Sequence, residues 1–253
     1  MLEVDRLCVE INGALLLEDV SFQLARSEML CVVGESGAGK STLMKALQGL
    51  VPARCQRFHF EPANIDASEA MPQMIGLPET RWVMQDPLAA LNPRLSLGRS
   101  IAESLHGRGY TKAKLRKAVE KALEEVELDP AFYDRLPGQV SLGQAQRACL
   151  ARALVAQPQL IIFDEPLSAL DAIVQKKVAQ RMDALRRETQ TAYLVVTHDM
   201  GFAAVYADQV LVLQKGRVAD YQPRTTFFDS PASPYSASLI EAARSLGALE
   251  GTL

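Results

Sequence analysis

The sequence predicts an α/β fold built on a parallel core sheet. Short, wholly apolar runs at 29–33, 160–163 and 193–196 read as buried strands. Segments with helical periodicity lie between them, the alternation that builds parallel sheets. Polar clusters stand at the carboxyl ends of these runs, where such sheets bind ligands.

The elements follow in chain order. Residues 2–22 alternate loosely around Asn12-Gly13, a hairpin signal. After the run 29–33, Leu43, Ala46, Leu47 and Leu50 share one helical face. Residues 52 to about 80 are rich in proline, methionine and polar residues and read as irregular. Leu115, Ala118, Val119, Ala122, Leu123 and Val126 predict an amphipathic helix over 111–126, its charges a solvated face. A further helix spans 143–156 and stops before Pro158, and another spans 172–188 with Val174, Val178, Met182 and Leu185 on one side. A strand at 209–213 runs into the turn Lys215-Gly216.

A chain of 253 residues with 48% hydrophobic content supports one large domain or two intimate subdomains. The formal charge of −3 excludes nucleic-acid binding by bulk basicity. Cys8, Cys31, Cys55 and Cys149 are scattered without a C-x-x-C pair, which points to reduced, buried thiols rather than metal ligands or disulfides. The amino-terminal residues lack the pattern of a signal peptide, and no apolar run approaches the roughly 20 residues that span a bilayer. Any membrane role is then expected to come through a partner.

The chemistry begins at Gly34-Glu35-Ser36-Gly37-Ala38-Gly39-Lys40-Ser41-Thr42. Strand, glycine loop and helix are the context in which G-x-x-x-x-G-K-[ST] holds the phosphates of a nucleotide. Glycines let backbone N–H groups converge on an anion, and the start of a helix adds its dipole. Lys40 then reaches the β- and γ-phosphates, and the Ser41 hydroxyl ligates Mg²⁺. Asp164 ends an apolar strand as the outer partner of that ion, and Glu165 is the candidate general base or water-positioning group. His198 ends the next strand, suited to the γ-phosphate or the attacking water. Gln85 follows another apolar run and is a candidate for Mg²⁺ or the attacking water.

Ser141-Leu142-Gly143-Gln144 resembles the L-S-G-G-Q signature of ATP-binding cassette (ABC) ATPases. The other elements fall in that family's order: residues 34–42 as Walker A, Gln85 as the Q-loop, 160–165 as Walker B, Ser168-Ala169-Leu170-Asp171 as the D-loop and His198 as the switch histidine. The resemblance implies a P-loop ABC ATPase domain with a mixed, largely parallel core sheet, an N-terminal antiparallel β subdomain and an inserted α-helical subdomain. Residues 1–85 and 158–220 would form the core with the β subdomain, 86–157 the helical subdomain carrying the signature, and 221–253 a short extension. It also implies ATP and Mg²⁺ as cofactors and head-to-tail pairing with a second ABC ATPase subunit, a copy or a different chain. Ser141, Gly143 and Gln144 would then close over the partner's nucleotide, with Asp171 at the interface. ATP binding closes such a dimer, and hydrolysis reopens it.

Two features depart from the family pattern. Leu142 replaces the first signature glycine, and no aromatic lies near Ile11 to stack on adenine. The segment 85–93 resembles the Q-loop region of ATPases driving dipeptide, oligopeptide and nickel import, and residues 230–239 resemble that group's proline-tyrosine tail. No cysteine follows Cys149, closer to the compact nickel-type subunits. The expectation is therefore an ATPase peripheral to the cytoplasmic face of the inner membrane, powering import of peptides, nickel or a metal chelate. Its partners would be permease subunits and, indirectly, an extracytoplasmic solute-binding protein, with no nucleic acid. The alternatives are a catalytically weak subunit of an asymmetric heterodimer, a soluble ABC ATPase acting on DNA or the ribosome, and an exporter subunit.

Overall fold

The structure is a computed structural model that describes residues 1–61, 65–73, 76–77 and 80–249. These fall into two compact units, one of Met1–Thr80 with Ala192–Leu253, the other of Arg81–Thr191.

The first unit contains two strand systems. Strands β1 (Leu2–Ile11) and β2 (Ala14–Leu24) form the antiparallel hairpin expected from Asn12-Gly13, whose φ angles of 53° and 78° match a primed turn. Strand β4 (Ala53–Phe60) pairs antiparallel with β1, and β5 (Ile65–Gln73) with β4, in the order β2-β1-β4-β5. This corrects the irregular reading of 52–80. Ala53 and Cys55 are buried on one phase, Phe58 and Phe60 on the next, with exposed Gln56 and Arg57 between. The register shifts at that step, and a bulge hides a strand from any period-two template. Residues 62–64, 74–75 and 78–79 of that segment lie outside the described residues.

The other system has β3 (Met29–Val33) at its centre, parallel to both β8 (Ala192–Val196) and β9 (Gln209–Gln214). Every residue of β3 and β8 is buried, as expected of strands covered on both faces. Strand β10 (Arg217–Pro223) returns antiparallel along β9 through Lys215-Gly216. Helix α1 (Lys40–Leu47) follows β3 and buries Leu43, Met44, Ala46 and Leu47. Leu50 is not on that face: the helix ends at Leu47, Gly49 takes φ 67°, and Leu50 is 56% exposed. Helices α7 (Met200–Tyr206), α8 (Arg224–Asp229) and α9 (Pro234–Ser245) complete the unit.

The second unit holds most of β6 (Thr80–Val83), with β7 (Leu160–Asp164) beside it, and helices α2 (Pro87–Ala90), α3 (Leu97–Ala102), α4 (Lys112–Glu124), α5 (Leu142–Leu154) and α6 (Ala172–Thr189). Helix α4 lies within the span expected at 111–126, capped by the Thr111 hydroxyl. Helix α5 buries Ala145, Gln146, Ala148, Cys149, Leu150, Ala151 and Ala153. Ion pairs Arg181–Glu125 and Lys177–Glu127 join α6 to the residues just after α4. Among the described residues no helix is long and apolar enough to cross a membrane.

Candidate functional site

In the first unit the loop 34–39 leaves β3 and enters α1 at Gly39, whose φ of 109° is left-handed territory. A β-carbon on Gly34 would stand 2.3 Å from the Leu213 carbonyl oxygen, so only glycine lets the loop pass the end of β9. The Lys40 ammonium turns back over the loop and donates to the carbonyls of Gly34 (2.6 Å) and Glu35 (2.8 Å). No side chain caps α1, and its first turn holds no acid. A helix start with no capping side chain and no acid in its first turn suits phosphate oxygens. Ser36, Gly37 and Ser41 are exposed, whereas Ala38 is buried and fastens the loop.

Two distant segments brace this loop. The Gly216 amide donates to the Ala38 carbonyl (2.9 Å), while the Gly216 carbonyl accepts from the Glu18 amide (2.8 Å). Thus the tip of the β9–β10 hairpin ties the loop to β2. The Tyr235 hydroxyl, at the start of α9, accepts from the Glu35 amide at 3.2 Å. The proline-tyrosine tail at 230–239 therefore reaches the loop, a contact that a family resemblance does not supply.

His198 lies two residues beyond β8, which runs parallel to β3 with Val196 opposite Val32. The Thr197 amide donates to the Val32 carbonyl at 3.2 Å, so His198 and the Gly34 loop leave the same end of paired strands. The histidine is exposed, and Asp199 beside it caps α7 by accepting from the Phe202 amide at 2.8 Å.

The second unit gathers the remaining residues. Asp164, half-buried, is the last residue of β7. Glu165 follows with φ 51°, a conformation that costs a non-glycine residue energy. The turn then runs through Ser168 and Ala169 to Asp171, whose carboxylate caps α6 by accepting from the Val174 amide at 3.1 Å. Ser141 opens α5 with a reciprocal capping box: its hydroxyl accepts from the Gln144 amide, and the Gln144 side chain accepts from the Ser141 amide at 2.9 Å. The cap expected at Ser141 is therefore present. Leu142, one residue inside, is 50% exposed. Gln85 is exposed in the bend after β6, and Asp86 caps α2 through the Leu88 and Ala89 amides.

Half-buried Arg147 and fully buried Gln146 of α5 complete this unit's polar framework. Burial of the Arg147 guanidinium lowers its pKa, opposed by the charges of Asp171 and Glu127. Gln146 has no exposed surface, and its side-chain amide spans Glu165 and Ala169. Sequence reasoning passed over Gln146. Its signal was a lone amide among the alanines of a buried helical face.

Comparison with known proteins bears on family and fold. The sequence model of the ABC transporter family matches residues 17–168. A Brucella ovis protein provisionally named a peptide import ATP-binding protein is 34% identical over 228 residues, covering 90% of this chain and 72% of that protein. The glutathione import ATP-binding protein GsiA of Salmonella paratyphi A is 39% identical over 89% of this chain and 36% of its own length. An ATP-binding subunit of an ABC transporter superposes with a TM-score of 0.76 at 25% identity, over 94% of this chain and 99% of that one. A bacterial ABC transporter cassette solved as a dimer matches with the same score at 24% identity, over 88% and 99% of the two chains. The fold is therefore that of the P-loop ABC ATPases, and the chain belongs to the ABC transporter family.

Proposed function

We propose that this chain is the ATP-hydrolysing subunit of a peptide-type importer, with the backbone of the loop 34–39 and Lys40 holding the nucleotide phosphates. The observation that carries this reading is the start of α1: an uncapped helix end, free of acid, beneath an ammonium held over a glycine loop. The donor set fits a magnesium nucleotide. Mg²⁺ takes one or two protein oxygens and leaves the rest to phosphate and water. Ser41 and Asp164 would hold it, with Gln85 beside them, and the ion would neutralise charge on the transferred phosphoryl group. Glu165 would take the proton of the attacking water, and His198 would hydrogen-bond the γ-phosphate.

Pairing with a second ATPase would bring Ser141, Gly143 and Gln144 of one subunit over the nucleotide of the other, with Asp171 at the contact. In that assembly residues 86–157 would serve as the helical subdomain that receives the permease, at the cytoplasmic face of the membrane, and a solute-binding protein would deliver the cargo. The names of the relatives, one for peptide and one for glutathione import, favour a short peptide over nickel as that cargo. Exposed Leu142 in the signature favours, as a second reading, an asymmetric heterodimer in which this chain contributes the weaker signature.

Turnover and dimerisation of the full chain, alone and with its partner subunits, test the proposal. Glu165→Gln should bind ATP normally and accumulate as a closed dimer, while Lys40→Ala should lose nucleotide affinity by about tenfold or more. Near-normal hydrolysis by Glu165→Gln would remove the base.

A further inference from the structure

The geometry points to Gln146 as a positioning residue for hydrolysis, one whose side-chain amide fixes the backbone of Glu165 and ties it to the helix that begins at the signature. The inference rests on the reading of Glu165 as the base. Gln146 Nε2 donates to the Glu165 carbonyl at 3.0 Å, and its Oε1 accepts from the Ala169 amide at 3.1 Å. One fully buried side chain thus grips both ends of the turn after β7. A primary amide is the natural group for this task, because one donor and one acceptor at a single branch match a carbonyl and an N–H.

The turn needs such a grip. Glu165 sits at φ 51°, which a residue with a β-carbon holds only where its surroundings over-determine it. The Ser168 hydroxyl donates to the same Glu165 oxygen at 3.0 Å from the exposed side. Further along, the turn packs on the signature itself. A β-carbon on Gly143 would stand 3.0 Å from the Ala169 carbonyl oxygen and 3.2 Å from a methyl of Leu170. Gly143 and Gln146 therefore present one face of α5 to the turn, three residues apart as helical neighbours are. A shift of α5 when Ser141 engages a phosphate is felt at the Glu165 carbonyl and at Ala169 together. The hydrolytic carboxylate is set by the state of the signature in its own chain.

A double-mutant cycle in the full chain assembled with its partner subunits tests this. Gln146→Met keeps length and removes both hydrogen-bonding groups. It should lower kcat about tenfold with KM and ATP affinity within about twofold, and in a Glu165→Gln background it should lower the residual rate by less than about twofold. The milder Ser168→Ala, which leaves the buried framework intact, should lower kcat about two- to fivefold in the wild-type background alone. Equal losses in both backgrounds, or a kcat within twofold of wild type for both variants, would overturn the inference. If Glu165→Gln hydrolyses at a normal rate, the base reading fails first and carries the inference with it. If Glu165→Gln is inactive and the other variants are neutral, only the role of Gln146 fails.

Discussion

The Tyr235 hydroxyl oxygen stands 3.2 Å from the Glu35 amide nitrogen and accepts its hydrogen across 200 positions of sequence. One end of the glycine loop 34–39 is thereby fastened to the start of α9. Tyr235→Phe removes that acceptor and little else. A single hydrogen bond contributes about 1 kcal/mol. The KM for ATP should therefore rise about two- to fivefold, with kcat and the melting temperature close to wild type. Steady-state kinetics beside a thermal scan check this, and an unchanged KM would make the contact decorative.

Leu142→Gly restores a glycine where the side chain is half exposed at the first position of α5. Glycine costs that helix up to about 1 kcal/mol, so the melting temperature should fall slightly. Turnover of the assembled transporter should nonetheless rise about twofold or more, because a backbone without a β-carbon approaches a phosphate more closely. A drop in both quantities would show that Leu142 contributes to closure.

Ile11, Leu15 and Leu16, near the hairpin tip where the family resemblance would set the base, are aliphatic. Ile11 is half-buried, and Leu15 and Leu16 are exposed by 49% and 38%. Aliphatic surface does not discriminate between bases by stacking, so KM for GTP should lie within about threefold of that for ATP. Competition kinetics with the two nucleotides measure it, and a strong preference for ATP would place an aromatic from another subunit over the base.

Burial pushes the Cys149 thiol up to about 11, and its Sγ lies 3.6 Å from the Pro87 carbonyl oxygen. At pH 8 only about one thiol in a thousand is then ionised, too few for ready alkylation. Iodoacetamide on the native protein should label Cys8 well before Cys149, and mass spectrometry of the peptides reads this out. The buried thiol's contribution to stability is intact below pH 9 and is lost as the pH climbs towards 11. Urea midpoints measured over that range should fall.

Much of the fold was legible because its strongest signals are local. The runs at 29–33, 160–163 and 193–196 are buried along their whole length, and Asn12-Gly13 turns where the dipeptide must. Strand β4 was not legible, because a bulge at Gln56-Arg57 breaks the alternation on which strand recognition depends. The strand–loop–helix passage at 29–47 and the cap at Ser141 were readable from spacing alone. The contacts of Gln146 and Tyr235 were not, since both depend on which backbone passes nearby, and that is decided by the packing of segments 19 and 200 residues away.

A two-residue hairpin tip such as Lys215-Gly216 is ordinarily where a chain accepts a tag, a cut or a new pair of termini. Here the amide and carbonyl of Gly216 are both committed, one to Ala38 and one to Glu18, and a β-carbon on Gly216 would meet the Leu16 carbonyl oxygen at 2.5 Å. The tip behaves as a rivet rather than a free end. Circular permutation or epitope insertion at this position would loosen the loop 34–39 while leaving the strands it joins intact, whereas the exposed Gly107 and Gly109, whose added β-carbons would meet nothing within 4 Å, offer an engineer a quiet place to open the chain.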